Sequence, residues 1–133
     1  MTNLDVVKAY VAAVERFDGK AAAAFMDEAI RFTELPNRIR PKGGTDDKAA
    51  LLAGLERAAS RQLLREQRYH LVSEMEAGDR VVLEARWEGV LAQPLGKLAA
   101  GETMVAHICM LFRVQDGRIL EQRNYDCYED FTG

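Results

Sequence analysis

Apart from one short strand-like stretch, apolar residues in this chain repeat with a helical period as far as residue 62 and with a strand period after it. That switch constrains the fold more than any other feature. Helical segments followed by consecutive strands give an α+β architecture with a mostly antiparallel sheet, not alternating βαβ units. No repeat, low-complexity tract or linker interrupts the order. Residues 1–133 therefore read as a single domain.

The first helix carries Leu4, Val7, Val11 and Val14 at helical spacing, with Tyr10 and Phe17 beside them, behind the possible caps Thr2 and Asn3. It is expected to end near Asp18-Gly19. A short second helix capped by Asp18 would place Ala22, Phe25, Met26 and Ala29 on one side. Ile30 to Leu35 alternates as a strand does, and Pro36 stops it. Pro36 to Gly44 reads as a loop. Thr45 or Asp46 would then cap a third helix bearing Leu51, Leu52, Leu55, Ala58 and Ala59.

Four strands are expected: Leu63 to Glu76, Arg80 to Ala92, Thr103 to Val114 and Ile119 to Tyr128. Gly78-Asp79 and Asp116-Gly117 are hairpin signals, and Gln93 to Gly101 is a longer loop. Both faces of the second and third of these strands carry apolar side chains. Val81, Leu83, Ala85 and Trp87 alternate with Val82, Glu84, Arg86, Glu88 and Val90; Ala106, Ile108, Met110, Phe112 and Val114 alternate with Val105, His107, Cys109 and Leu111. A sheet wetted on one side is not expected to be apolar on both. With three helices already used on one face, a homodimer through the other face is expected, with Trp87, Leu83, His107 and Leu111 at the contact.

The net charge of −3 and the absence of a basic stripe argue against nucleic acid as a partner. No run approaches the ~20 apolar residues of a membrane span. The start, Met-Thr-Asn-Leu-Asp, lacks the charged and apolar regions of a leader, so a cytoplasmic location is expected. Cys109 and Cys127 make no metal-type spacing with each other or with His70 and His107, and no metal or other cofactor is expected. A disulfide would form only if the two cysteines face each other; reduced thiols are the plainer expectation.

The helix pair, the strand ending in Pro36, the third helix and the four-strand meander together resemble the NTF2-like superfamily, in particular its SnoaL-like branch. GDRVVLEARWEG and FRVQDGRILEQRNYDCYEDF carry most of the likeness. The resemblance implies a cone in which three N-terminal helices and a curved sheet enclose a small-molecule pocket. It fixes the reaction poorly, because the superfamily holds isomerases, cyclases, hydrolases, dehydratases and non-catalytic modules. The local pattern is nearest to the limonene epoxide hydrolases, whose Tyr-x-Asn-x-Pro, Arg-x-Asp and Trp-Arg-Asp-Tyr segments match Phe32 to Pro36, Arg86 to Glu88 and Gln122 to Tyr125. The water-holding groups are exchanged: Phe32 has no hydroxyl, Glu34 replaces an amide, and Asn124 replaces the base. Met110 stands where steroid isomerases and polyketide cyclases carry an acid.

The pocket-facing set depends on the last hairpin. A two-residue Asp116-Gly117 turn would pair Ile108 with Tyr125 and His107 with Asp126, making a histidine–aspartate dyad. A three-residue turn with a bulge at Gly117 would pair Ile108 with Asn124 and Ala106 with Asp126. The second register is preferred, because the resemblance places Asn124 inside. The expected site then has Arg86 bridging Glu88 and Asn124, with Glu34 reaching in as base. Tyr10, Phe32, Tyr69, Ile108, Met110 and Asp126 would line the substrate. A carboxylate among apolar neighbours should have a raised pKa, and one held by Arg86 should stay ionised, which suits acid–base work on a small, mostly apolar molecule. A non-catalytic module that binds a hydrophobic ligand or only dimerises is the alternative.

Overall fold

The computed structural model describes residues 1–133. In chain order the elements are α1 (Asn3–Glu15), α2 (Gly19–Ala23), β1 (Met26–Glu34), β2 (Gly44–Asp46), α3 (Lys48–Ala59), β3 (Leu64–Ala77), β4 (Arg80–Leu91), β5 (Thr103–Gln115) and β6 (Arg118–Tyr128). The strands form one six-stranded sheet in the order β2-β1-β6-β5-β4-β3. Every neighbouring pair is antiparallel except β1 and β6, which run parallel. All three helices lie on the same side of the open, curved sheet.

Each helix starts on a side-chain cap. The Thr2 hydroxyl accepts from Asp5 N, and the Asp5 carboxylate accepts from Thr2 N, a reciprocal capping box. The Asp18 carboxylate accepts from Ala21 N. The Asp47 carboxylate accepts from Ala50 N, so the cap of α3 is Asp47, not Thr45 or Asp46. Those two residues belong to the short strand β2, where Thr45 faces Thr33 and Asp46 faces Phe32. Helix α1 stops at Glu15, before Asp18-Gly19, because Phe17 takes a positive φ of 58°. Phe17 is buried even so, and the Arg61 guanidinium lies 4.4 Å above its ring.

Helix α2 is shorter than its apolar spacing suggested. Met26 and Ala29 lie in β1, which begins four residues before the expected Ile30. Met26 pairs with Ile119, and Ile119 N donates to Phe25 O, so pairing with β6 wins over a marginal helical pattern. The β3 to β6 strands match expectation to within one residue at each end.

The core lies between α1 and the sheet. Val6, Val7, Tyr10, Val11 and Ala13 of α1 pack on Val81, Leu83, Ala85, Trp87, Ile108, Met110 and Phe112, all of them buried. The odd positions of β4 oppose the even positions of β5: Val81 faces Phe112, Leu83 faces Met110, and Trp87 faces Ala106. Trp87 and Leu83 are therefore core residues, which corrects their expected place at an outer dimer contact. The Trp87 indole N–H donates to Gln67 Oε1 at 2.9 Å, and Gln67 Nε2 donates to Val14 O, tying the ring beneath α1.

Candidate functional site

The same register carries Arg86 and Glu88 to the outer face. They form an ion pair there, and His70 Nε2 lies 3.2 Å from the Glu88 carboxylate. His107 lies opposite Arg86 and pairs with Glu129 at 2.9 Å. Asn124 is on the inner face, so the expected bridge from Arg86 to Asn124 does not form. The apolar alternation is nearly equal on the two faces of β4, and only the pairing with β5 decides its orientation. Neither expected hairpin register forms either. Asp116-Gly117 is a two-residue turn with Gln115 opposite Arg118, but β6 then gains one residue at Leu120, between the pairs Val114–Ile119 and Arg113–Glu121. Ile108 consequently opposes Asp126, and His107 opposes Cys127, which removes the rival dyad. The extra residue still turns Gln122, Asn124 and Asp126 inward, as the preferred register had it, for a different reason. Cys109 and Cys127 are both free thiols.

Between α1, α3 and the inner sheet face lies a cavity of roughly 520 Å³. Tyr10, Val11 and Val14 of α1 form one wall, and Leu51, Gly54 and Leu55 of α3 form another. The sheet contributes Phe32, Tyr69, Met110, Gln122 and Asn124, and Arg40, Asp46 and Arg57 are the charged residues of the lining. A mostly apolar space of this size with a few polar groups is the usual form of a small-molecule site. Of the expected site residues, Tyr10, Phe32, Tyr69, Met110 and Asn124 line it. Ile108, Glu34 and Asp126 do not line it: Ile108 is buried in the sheet opposite Asp126, and Glu34 stands opposite the lining residue Asn124. No three His, Cys, Asp or Glu side chains are grouped so as to hold a metal ion.

The polar groups form a short series along β6. Gln122 and Asn124 are both buried, and Gln122 Nε2 donates to Asn124 Oδ1 at 2.9 Å. Gln122 Oε1 and Asp126 Oδ1 are buried without a hydrogen-bond partner. Asp126 follows as the next inward position, opposite Ile108 and close to the cavity residues Asn124 and Tyr69, without lining the cavity itself. Burial pushes its pKa up to about 6, the Glu34 charge adds to the rise, and Asn124 opposes it. Glu34 is placed by the parallel pairing of β1 with β6, opposite Asn124, and accepts from Asn37 Nδ2 at 2.9 Å. Burial also raises the phenol pKa values of Tyr10, Tyr69 and Tyr128; the Asp126 charge contributes to the last two. All three phenols are thus held as neutral O–H donors, and Tyr69 and Tyr128 stand close to the Asp126 carboxyl.

Two groups in this arrangement carry no signal in the sequence. Arg40 and Asp46, ion-paired at 3.2 Å, come from the segment that reads as a loop and a cap. Tyr128 reads only as the end of a strand. Its ring stands edge-on to Trp87 at 6.1 Å and to Phe131 at 6.3 Å, so it joins the site through residues near the C-terminus.

The three-helix layer on a curved mixed sheet with an inner cavity is the NTF2-like fold. The family model of the SnoaL-like domain matches residues 7–122, and the chain belongs to that family. Among curated proteins none matches the sequence. Solved structures share the fold at low identity. A candidate polyketide cyclase, IdmH from Streptomyces antibioticus, superposes with a TM-score of 0.78 at 15% identity, covering 95% of this chain and 92% of that one. An NTF2-like protein from Burkholderia thailandensis has a TM-score of 0.72 at 22% identity, covering 95% and 91%. An LEH-like epoxide hydrolase of M. tuberculosis has a TM-score of 0.72 at 16% identity, covering 96% and 82%. No helix of the chain is long and apolar enough to cross a membrane.

Proposed function

We propose that the chain is an acid–base enzyme acting on a small, mostly apolar carbonyl compound, with Asp126 as the base. The observation that supports this best is the unpartnered, buried carboxylate oxygen of Asp126 close to the Tyr69 phenol, which lines an apolar cavity. A carboxyl with a pKa near 6 is largely ionised at neutral pH, yet basic enough to take a proton from an activated carbon. In the step we infer, the Asp126 carboxylate removes a proton from the carbon next to a carbonyl. The C–H electron pair becomes a C=C bond, the carbonyl π pair moves onto the oxygen, and the Tyr69 and Tyr10 hydroxyls donate hydrogen bonds to the resulting enolate oxygen. Return of the proton to another carbon isomerises the substrate; attack of the enolate on a second carbonyl cyclises it. No step needs a cofactor.

Hydrogen–deuterium exchange at the α-carbon, followed by proton NMR over a panel of apolar ketones, tests this whatever the final product is. The parent should accelerate exchange for at least one class, and Asp126→Asn should not. Equal acceleration by the two proteins would remove Asp126 from the mechanism.

Glu34 provides a second check. Glu34→Gln keeps an oxygen for Asn37 and removes the charge that helps raise the Asp126 pKa. A base works once it has lost its proton, so the acidic limb of the pH–rate profile should move to lower pH in this variant. An unmoved limb would place the titrating base elsewhere.

We also infer that a second copy of the chain covers the outer sheet face. Leu111, Val82, Val105 and Cys109 are only half-buried there, and Met75 and Tyr125 are exposed. Leu111 and His107 keep their expected place on this face, with Val82 and Tyr125 joining them in place of Trp87 and Leu83. Sedimentation equilibrium should give twice the chain mass for the parent and the chain mass for Leu111→Arg. A monomeric parent at micromolar concentration would contradict the contact.

A further inference from the structure

The charged side chains of the cavity wall are unequally served. Arg40 is neutralised by Asp46, whose two carboxylate oxygens accept from Nη1 and Nη2 at 3.2 and 3.4 Å. Arg57, in the last turn of α3, belongs to none of the ion pairs of the chain. Its guanidinium does not extend away from the helix. It folds back beside Gly54, close enough that a Cβ at that position would lie 3.7 Å from Nη2. Gly54 and Arg57 both line the cavity and also a shallower neighbouring hollow, so the exposed cation stands on the solvent side of the wall with no side chain at position 54 beside it. A cationic residue near a helix C-terminus is ordinarily explained by the helix dipole. Here the same side chain, leaning back over the preceding turn as long helical side chains do, also forms part of the cavity lining.

The surroundings add a direction. Leu51, Leu55, Val14 and Met110 form an apolar middle. The carboxyls of Glu34 and Asp126 lie on the sheet beside Asn124, within each other's field, and repel a negative group. In a chain of net charge −3, Arg57 is a local unneutralised cation on the cavity. We propose that the pocket takes amphipathic organic acids, with the apolar body beneath α3 and the carboxylate, or a like anion, on Arg57. A planar guanidinium suits that group because it can donate two parallel hydrogen bonds to it. Arg57 is then the residue that selects the substrate class, and the inference rests on the reading of the cavity as a ligand site, not on its chemistry.

Two fluorescent probes with one aromatic body separate the charge from the apolar contact: 8-anilinonaphthalene-1-sulfonate and the uncharged N-phenyl-1-naphthylamine. The parent should bind the sulfonate about three- to fivefold more tightly, the upper range for an ion pair at an exposed site. Decanoate should displace it at lower concentration than decanol does. Arg57→Gln should abolish that preference while binding of the uncharged probe changes less than about twofold, and circular dichroism should show an unchanged fold. Leu55→Trp, which fills the cavity, should remove binding of both probes. Equal affinity of the parent for the two probes, or a preference that survives in Arg57→Gln, would overturn the proposal and leave the cavity as a ligand site. Binding of both probes to Leu55→Trp, or of neither to the parent, would overturn the proposal and the site together.

Discussion

Asp126→Asn is expected to give a protein that is more stable than the parent at neutral pH and has lost most of its activity. The stability effect follows from the raised pKa of the carboxyl, about 6 in the folded chain against 3.8 as its ordinary value. Between those values the folded chain keeps a proton that the unfolded chain has released. Stability therefore falls as pH rises through this window and stays lower above it. Asparagine carries no charge at any of these pH values and removes the penalty. A difference of this size corresponds to at most about 3 kcal/mol, and the side chain is only partly buried, so a gain of about 1–2 kcal/mol at pH 7 is expected. Urea unfolding at pH 7 and pH 4 checks this: the difference between parent and variant should be present at the first and nearly absent at the second. Turnover should fall about 10²–10⁴-fold, the usual contribution of a positioned base. A variant less stable than the parent at pH 7 would show that Asp126 is held by interactions favouring its charge.

Phe112→Ala should have the largest effect on folding. Phe112 is 1% exposed and lies opposite Val81 on β4 and Gln122 on β6, at the centre of the inner sheet face. Its ring meets Tyr10 edge-on at 6.3 Å, so it supports α1 and one of the phenols of the site. Truncation removes the buried ring and leaves a void that neighbours on a hydrogen-bonded sheet cannot fill, at a cost of about 3–5 kcal/mol. A fall of roughly 10–15 °C in Tm is the corresponding thermal readout. Activity at a temperature where the variant stays folded should also drop, because Tyr10 loses its rest. A loss below about 1 kcal/mol would mean that α1 is not seated on the sheet at this point.

The sequence is most readable where local and tertiary preferences agree. Strands β3 to β6 alternate over 11 to 14 residues between clear turns, and their limits follow almost to the residue. The caps Thr2 and Asp18 are equally plain. Legibility fails where one pattern serves two structures. Ala22 and Met26, four apart, fit a helix as well as the join between a short helix and a strand, and only pairing with Ile119 decides between them. The strand β2 is three residues long and exists because Thr33 and Phe32 are there to pair with it.

The site is legible in part for the same reason. Tyr10, Phe32, Tyr69, Met110 and Asn124 fall on the cavity through their elements and through family likeness. The orientation of β4 is not recoverable, since Val81, Leu83, Ala85 and Trp87 compete with Val82 and Val90 for the core. The parity of the Gln93 to Gly101 connection sets the winner, and nothing local fixes that parity. Arg86 and Glu88 stand out because they form a charged row, but the row pairs with His70 on the outer face. The inward turn of Asp126 depends on one extra residue at Leu120. A hairpin signal at Asp116-Gly117 carries no mark of it.

Titration of the Asp126 side-chain carboxyl by carbon-13 NMR bears most directly on the site. Asp126→Asn identifies the resonance, and Glu34→Gln shows whether its neighbour acts on it. A midpoint near 6 in the parent, moving down in Glu34→Gln, is expected from a carboxyl buried beside Tyr69 and within the field of Glu34. A midpoint at or below about 4, the ordinary aspartate value, would mean a solvated or ion-paired carboxylate and would contradict the assignment of Asp126 as the base.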